Sequence, residues 1–93
     1  MFTVKKLKDM PYAQAHVEIT DNGVCLFSYV TLVATLEDGW LTITGLYSRT
    51  TRKHIAAFMR EYTELDYQTA KHLSESGYKM NVLTGEIVKL VEI

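Results

Sequence analysis

The sequence predicts an α+β protein: a small antiparallel β-sheet, made of a meander plus a C-terminal hairpin, packed by one or two α-helices. Three observations lead there. The N-terminal half alternates apolar and polar residues with period two and is punctuated by Asp21-Asn22-Gly23 and Glu37-Asp38-Gly39. Period two is the mark of a half-buried strand, and Asn-Gly or Asp-Gly between such runs marks a turn. The middle switches period: Ile55, Phe58, Met59 and Tyr62 fall at i, i+3, i+4 and i+7, one stripe of a helix. The tail returns to alternation around Thr84-Gly85.

Residues 2–7 read as a short strand with Phe2 and Val4 on one face, broken at Met10-Pro11. Proline lacks an N–H donor and pushes its predecessor toward extended geometry. In residues 14–19, Ala15, Val17 and Ile19 alternate with Gln14, His16 and Glu18. Val24 to Leu36 is nearly continuous in apolar and β-branched residues, which favours strand. It is long for one strand, so a bulge or bend is expected near Tyr29-Val30. Trp40, Thr42 and Thr44 then alternate with Leu41 and Ile43 up to Gly45, completing a three-stranded meander.

Ser48, Thr50 or Thr51 caps the following helix, since a hydroxyl there accepts from otherwise unpaired backbone donors. A second helix is expected from Thr63, with Asp66 as its capping-box partner, Leu65 and Leu73 inward and Gly77 as the stop. Its pattern is poorer, and a loop over 63–77 is the alternative. Tyr78, Met80 and Val82, then Ile87 to Ile93, form the hairpin.

The chain has 93 residues, the size of a single domain spanning 1–93. Apolar residues are 47% and charged residues 23%, so a core is affordable but small. Ten Lys and Arg against eleven Asp and Glu leave a net charge of −1. That excludes a generally basic nucleic-acid coat but not a local basic patch. Cys25 is the one cysteine, so no internal disulfide forms, which fits a reducing cytosol. No apolar run reaches the roughly 18–20 residues of a membrane span, and the N-terminus lacks the apolar core of a signal peptide.

The sharpest functional clue is Tyr47-Ser48-Arg49-Thr50-Thr51-Arg52-Lys53-His54-Ile55. A helix start already carries about half a positive charge, so added cations there cost roughly 0.3–1 kcal/mol each and invite an anion. The bland alternative is a capped helix with solvated charges, some paired to acids such as Asp9 or Glu37. Arg60 lies two turns beyond Arg52 and extends the stripe. The candidate surface for a protein partner or an anion is therefore Tyr47, Ser48, Arg49, Thr50, Thr51, Arg52, Lys53, His54 and Arg60. No glycine-rich loop precedes it, so it is not a Walker-type site.

Catalytic signals are absent. His16, His54 and His72 have no metal-ligand spacing, and Glu61, Glu64 and Asp66 read as a solvated turn. Cys25 sits in a strand with nothing to lower its pKa, and no nucleophile elbow exists for serine. No enzyme, metal or cofactor is expected. Aromatic residues are 11%, including six tyrosines. Phe27, Phe58 and Tyr62 are assigned to the core by position. Tyr12, Tyr29, Tyr47, Tyr67 and Tyr78 exceed what so small a core holds, and Tyr beside Arg is the composition of interface hot spots.

Phe27-Ser28-Tyr29-Val30-Thr31-Leu32-Val33-Ala34, followed by the run from Tyr47 to Ile55, resembles a group of short uncharacterised proteins encoded by bacteriophages and prophages. In these, an S-Y-x-T-P-V-A segment precedes a Y-S-x-T-T-x-K-H-I helix start. The resemblance covers 26–58, and Leu32 stands where the group has proline. It implies no activity, only a mobile-element accessory protein acting in the cytoplasm of a bacterial host cell. The leading expectation is a stoichiometric binder that blocks a host protein or complex, a defence system above all, in the manner of an anti-CRISPR. The alternative is a module that sequesters a nucleotide or binds nucleic-acid phosphate at the basic helix start. A homodimer, through edge pairing or helix packing, is also expected of a chain this small.

Overall fold

Alternation and turn chemistry build one antiparallel sheet whose strand order follows the chain. The computed structural model describes residues 3–46 and 48–90. Its elements are β1 (Thr3–Lys5), β2 (Ala15–Thr20), β3 (Gly23–Ser28), β4 (Thr31–Glu37), β5 (Trp40–Ile43), α1 (Arg49–Tyr62), α2 (Tyr67–Ser76), β6 (Tyr78–Asn81) and β7 (Ile87–Lys89). The seven strands lie in the order β1-β2-β3-β4-β5-β6-β7, every neighbour antiparallel. Both helices come between β5 and β6 and cover one face. The fold is thus the expected α+β class, with meander, C-terminal hairpin and two helices. Phe2, Tyr47 and the end of the expected last strand, 91–93, lie outside the described residues.

The covered face holds the core. Ala15, Val17, Leu26, Val33, Ala34, Leu41 and Ile43 from the sheet meet Ile55, Ala57, Phe58 and Met59 of α1 and Ala70 and Leu73 of α2. Leu7, in the connection after β1, is fully buried beneath them. That connection is held on α1 by Glu61, whose Oε1 accepts from Lys8 N–H at 2.7 Å, and by an Arg60–Asp9 ion pair at 2.9 Å.

Four features depart from the expectation. Val24–Leu36 is not one bent strand but a hairpin, because Tyr29 takes a positive φ of 58° and reverses the chain. A bulky residue rarely adopts that conformation, so the turn carries no glycine or asparagine signal. The expected irregularity also exists, displaced to β4. Leu26 pairs with Ala34 and Phe27 with Leu32, leaving Val33 as an unpaired bulge residue that turns into the core beside Ala34. Phe27 is not core: Leu26 and Ser28 on either side point inward, so Phe27 lies on the outer face, stacked on His16 at 5.1 Å. Finally, α2 starts at Tyr67. Asp66 is its N-cap, accepting from Thr69 N–H at 3.0 Å, and Thr63 instead ends α1. Gly77 stops α2 in the left-handed conformation, as expected, at φ 76°.

The remaining turns follow their residues. Asp38 and Gly39 both have positive φ, the type I′ geometry that matches strand twist. Gly23 is required for a different reason. A Cβ there would lie 1.9 Å from the Leu36 carbonyl oxygen across the β3–β4 ladder.

Candidate functional site

Helical geometry divides the basic run into two sets. Advancing 100° per residue from Arg49, positions 51, 54, 55 and 58 point toward the sheet, while 49, 52, 53, 56 and 60 share the opposite face. Thr51 and His54 are accordingly buried, at 5% and 1% exposure, and Arg49, Thr50, Arg52 and Lys53 are exposed.

The inward set forms a polar chain. Ser48 is the N-cap of α1, its Oγ accepting from Thr51 N–H at 3.2 Å. Its hydroxyl donates to Thr51 Oγ1 at 3.3 Å. Thr51 Oγ1 lies 2.9 Å from Ser28 Oγ, which lies 2.8 Å from His54 Nδ1. Two donor orders fit these distances: Thr51 to Ser28 and Ser28 to Nδ1, or Nδ1–H to Ser28 and Ser28 to Thr51, whose oxygen can accept from both serines. The first order goes with a neutral His54 protonated at Nε2, the second with a proton on Nδ1. Burial pushes the His54 pKa below its usual value. The Tyr29 ring packs against the imidazole at 6.1 Å. This chain ties the β3–β4 turn to the first turns of α1, joining two stretches that lie far apart in the sequence, 28–31 and 48–54.

Arg49, Arg52, Lys53 and Ala56 of the outward set line a groove of about 340 Å³ between α1 and α2. Ala56 and Tyr67 are its less polar lining, and Arg49, Arg52, Lys53 and Lys71 supply its charge. Among the described residues, none of these four cations has an acid within ion-pair distance. Arg60, on the same helical face, is engaged by Asp9 and does not line the groove. Thr50 is exposed but is not part of the lining. Tyr47 lies outside the described residues.

Lys71 escaped the sequence reading, and Tyr67 entered it only as one of the tyrosines beyond what the core holds. Lys71 and Tyr67 sit on α2, and only the packing of the two helices brings them to Arg52 and Lys53. The available signal was i, i+4 spacing on one helix, which places 67 and 71 on a common face. A second cavity, about 400 Å³, opens between the α1–α2 connection and the β6–β7 turn, lined by Glu61, Tyr62, Thr63, Glu64, Leu65, Val82 and Leu83. Tyr62 Oη is buried beside it with no hydrogen-bond partner among the described residues. Burial, reinforced by the Glu61 carboxylate, pushes its pKa up to about 12. Cys25 is half-buried on the outer face of β3, and burial together with Glu37 and Glu18 raises its pKa, keeping it a thiol. Among the described residues no cluster of three or more His, Cys, Asp or Glu is placed to hold a metal ion, and no helix is long and apolar enough to cross a membrane.

Fold and site together define a small α+β protein with a cationic groove on its helical layer and a buried Ser–Thr–His chain beneath it. Over residues 3–81 the chain matches the family of unknown function DUF8033, and it belongs to that family. No curated protein and no solved structure matches it.

Proposed function

We propose that this protein is a non-enzymatic inhibitor that docks its α1–α2 groove on an acidic surface of a bacterial host protein or complex and blocks it. The observation that carries the proposal is the set of four cations, Arg49, Arg52, Lys53 and Lys71, gathered around Tyr67 with no neutralising acid among the described residues. Three of them crowd a helix N-terminus that already disfavours positive charge, so their placement is relieved by an anionic partner. Arg and Tyr together supply bidentate charge recognition and a rigid contact ring. The resemblance to phage-encoded proteins supports a bacterial cytoplasmic setting and an anti-defence, anti-CRISPR-like role.

The test is a pull-down from nuclease-treated bacterial lysate, comparing the native protein with Arg49→Glu/Arg52→Glu/Lys53→Glu. One host complex retained by the native protein and lost by the variant, with unchanged thermal stability, is the expected result. Equal capture by both proteins rules out this surface.

A nucleotide or nucleic-acid phosphate is the second reading, and one observation favours it: the groove has the size of a small-molecule site and sets an aromatic ring among the cations. Ligand binding to the folded state alone must raise Tm by mass action. A nucleotide that raises Tm in the native protein and not in the triple variant would replace the inhibitor reading.

A further inference from the structure

The face of the sheet opposite the helices carries a row of side chains whose two halves complement each other about its centre. The pairings Val4–Glu18, Glu18–Cys25, Cys25–Thr35 and Thr35–Thr42 run from β1 to β5. The β5–β6 register, Trp40 with Asn81 and Leu41 with Met80, sets Thr42 opposite Lys79, and Lys79 pairs with Val88. One row therefore crosses all seven strands: Val4, Glu18, Cys25, Thr35, Thr42, Lys79, Val88. Apolar residues end it, a carboxylate and an ammonium stand second from each end, and Thr35 is its centre. The face is not covered by any described residue, and its rings are half-buried: Phe27 stacked on His16, and Trp40 under Lys79 Nζ at 4.9 Å.

We propose that this face is a homodimer interface, two copies packing sheet on sheet about a twofold axis that runs parallel to β4 over Thr35. That operation lays β2 of one copy over β6 of the other. Glu18 then faces Lys79 twice, Val4 faces Val88 twice, and Cys25 faces Thr42. In the neighbouring row Trp40 lies over the other copy's Gly23, where no side chain obstructs it. Leu32 on β4 meets its own counterpart near the axis. Glu37, at the exposed end of β4, also meets its counterpart and is the one unfavourable pairing.

Packed sheets rotate by about 30° relative to each other. Glu18 and Lys79 are two strands from the axis, about 10 Å at the usual spacing, so the rotation displaces them by only about 5 Å. Glu and Lys side chains span that. A footprint of seven strands by five residues is roughly 29 by 17 Å, about 1,000 Å² over both copies, at the lower limit for a specific interface. The dimer is accordingly weak and is studied at tens to hundreds of micromolar.

Sedimentation equilibrium tests it. The wild type is expected to dimerise reversibly. Glu18→Lys alone and Lys79→Glu alone are each expected to be monomeric, because each sets like charges against each other. Mixing the two single variants restores a dimer, since one copy then carries two positive and the other two negative charges at these positions. The double variant Glu18→Lys/Lys79→Glu also dimerises, and Glu37→Gln dimerises more tightly. Within one copy Glu18 and Lys79 are four strands apart, so rescue on mixing cannot come from repaired folding. A monomeric wild type over this range overturns the proposal. So does a dimer that ignores both charge changes but is lost with a proline in β1 or β7, which would place the contact at a sheet edge.

Discussion

His54 is a buried imidazole whose charged form is disfavoured by burial. A second ring proton would charge a desolvated imidazole and make Ser28 accept from Nδ1 and donate to Thr51 Oγ1 instead. Long-range 15N spectra read the donor order: a proton on Nε2 makes Ser28 the donor to His54, and a proton on Nδ1 makes it the acceptor. The stability consequence has a definite sign. The unfolded imidazole takes up a proton near its usual value of 6.5, and the folded one resists because burial lowers its pKa. Below that value the unfolded state binds more protons, so stability is fully present above about pH 6.5 and falls as pH drops through it. Urea midpoints measured at pH 7.5 and 5.5 should differ more for the wild type than for His54→Gln. Ser28→Ala strands both Thr51 and His54 and is expected to cost about 1–3 kcal/mol, read from the same curves. Gly23→Ala meets the Leu36 carbonyl and should cost at least about 2 kcal/mol, since backbone rather than a flexible side chain must move.

At the scale of the element, α1 is held by packing more than by its ends. Its N-terminal turn is basic, against the macrodipole, and contains no acid. Ile55, Phe58 and Met59, all fully buried, offset that. Ser48→Ala removes the cap and should lower stability by about 1 kcal/mol without unfolding the protein. The apolar stripe of α1 was legible in the sequence because periodicity reports which face meets a core, and the strands around Asn22-Gly23 and Asp38-Gly39 were legible because only a few residue types favour positive φ. The β3–β4 turn was hidden for the converse reason: Tyr29 adopts positive φ while its ring leans on His54, a contact no local pattern announces. The inward path of the chain at Ser28 was equally hidden, because a serine between Phe27 and Tyr29 looks like the exposed position of a strand. The basic half of the groove was readable from Arg49, Arg52 and Lys53. Its other wall needed the angle between two helices, which sequence spacing within one helix does not encode. Asp66 illustrates a smaller shift. Its hydrogen bonds from Thr69 lower its pKa, so the cap it provides to α2 is present above the ordinary aspartate range and weakens as acid titrates it.

Over the whole molecule the charge is nearly balanced, yet four cations gather on the helical layer and the sheet's outer face keeps a mixed set. Partner binding at the groove should weaken with salt, and more steeply for the native protein than for Lys71→Ala, because fewer unscreened pairs remain in the variant. The strand order has a separate consequence, for the time course of folding. Six of the strand junctions could have been distant in the chain; five are successive hairpins or short connections, and only β5 with β6 waits for α1 and α2 to form between them. Hairpins close in about 1–10 μs, whereas joining ends across an intervening helical pair must first lose the entropy of a long loop. The β2–β3–β4 portion is thus placed to organise early, with the β6–β7 hairpin docking last. Core truncation at Leu26 should then slow refolding, while truncation at Met80 should chiefly accelerate unfolding, a contrast that stopped-flow kinetics on Leu26→Ala and Met80→Ala reads directly.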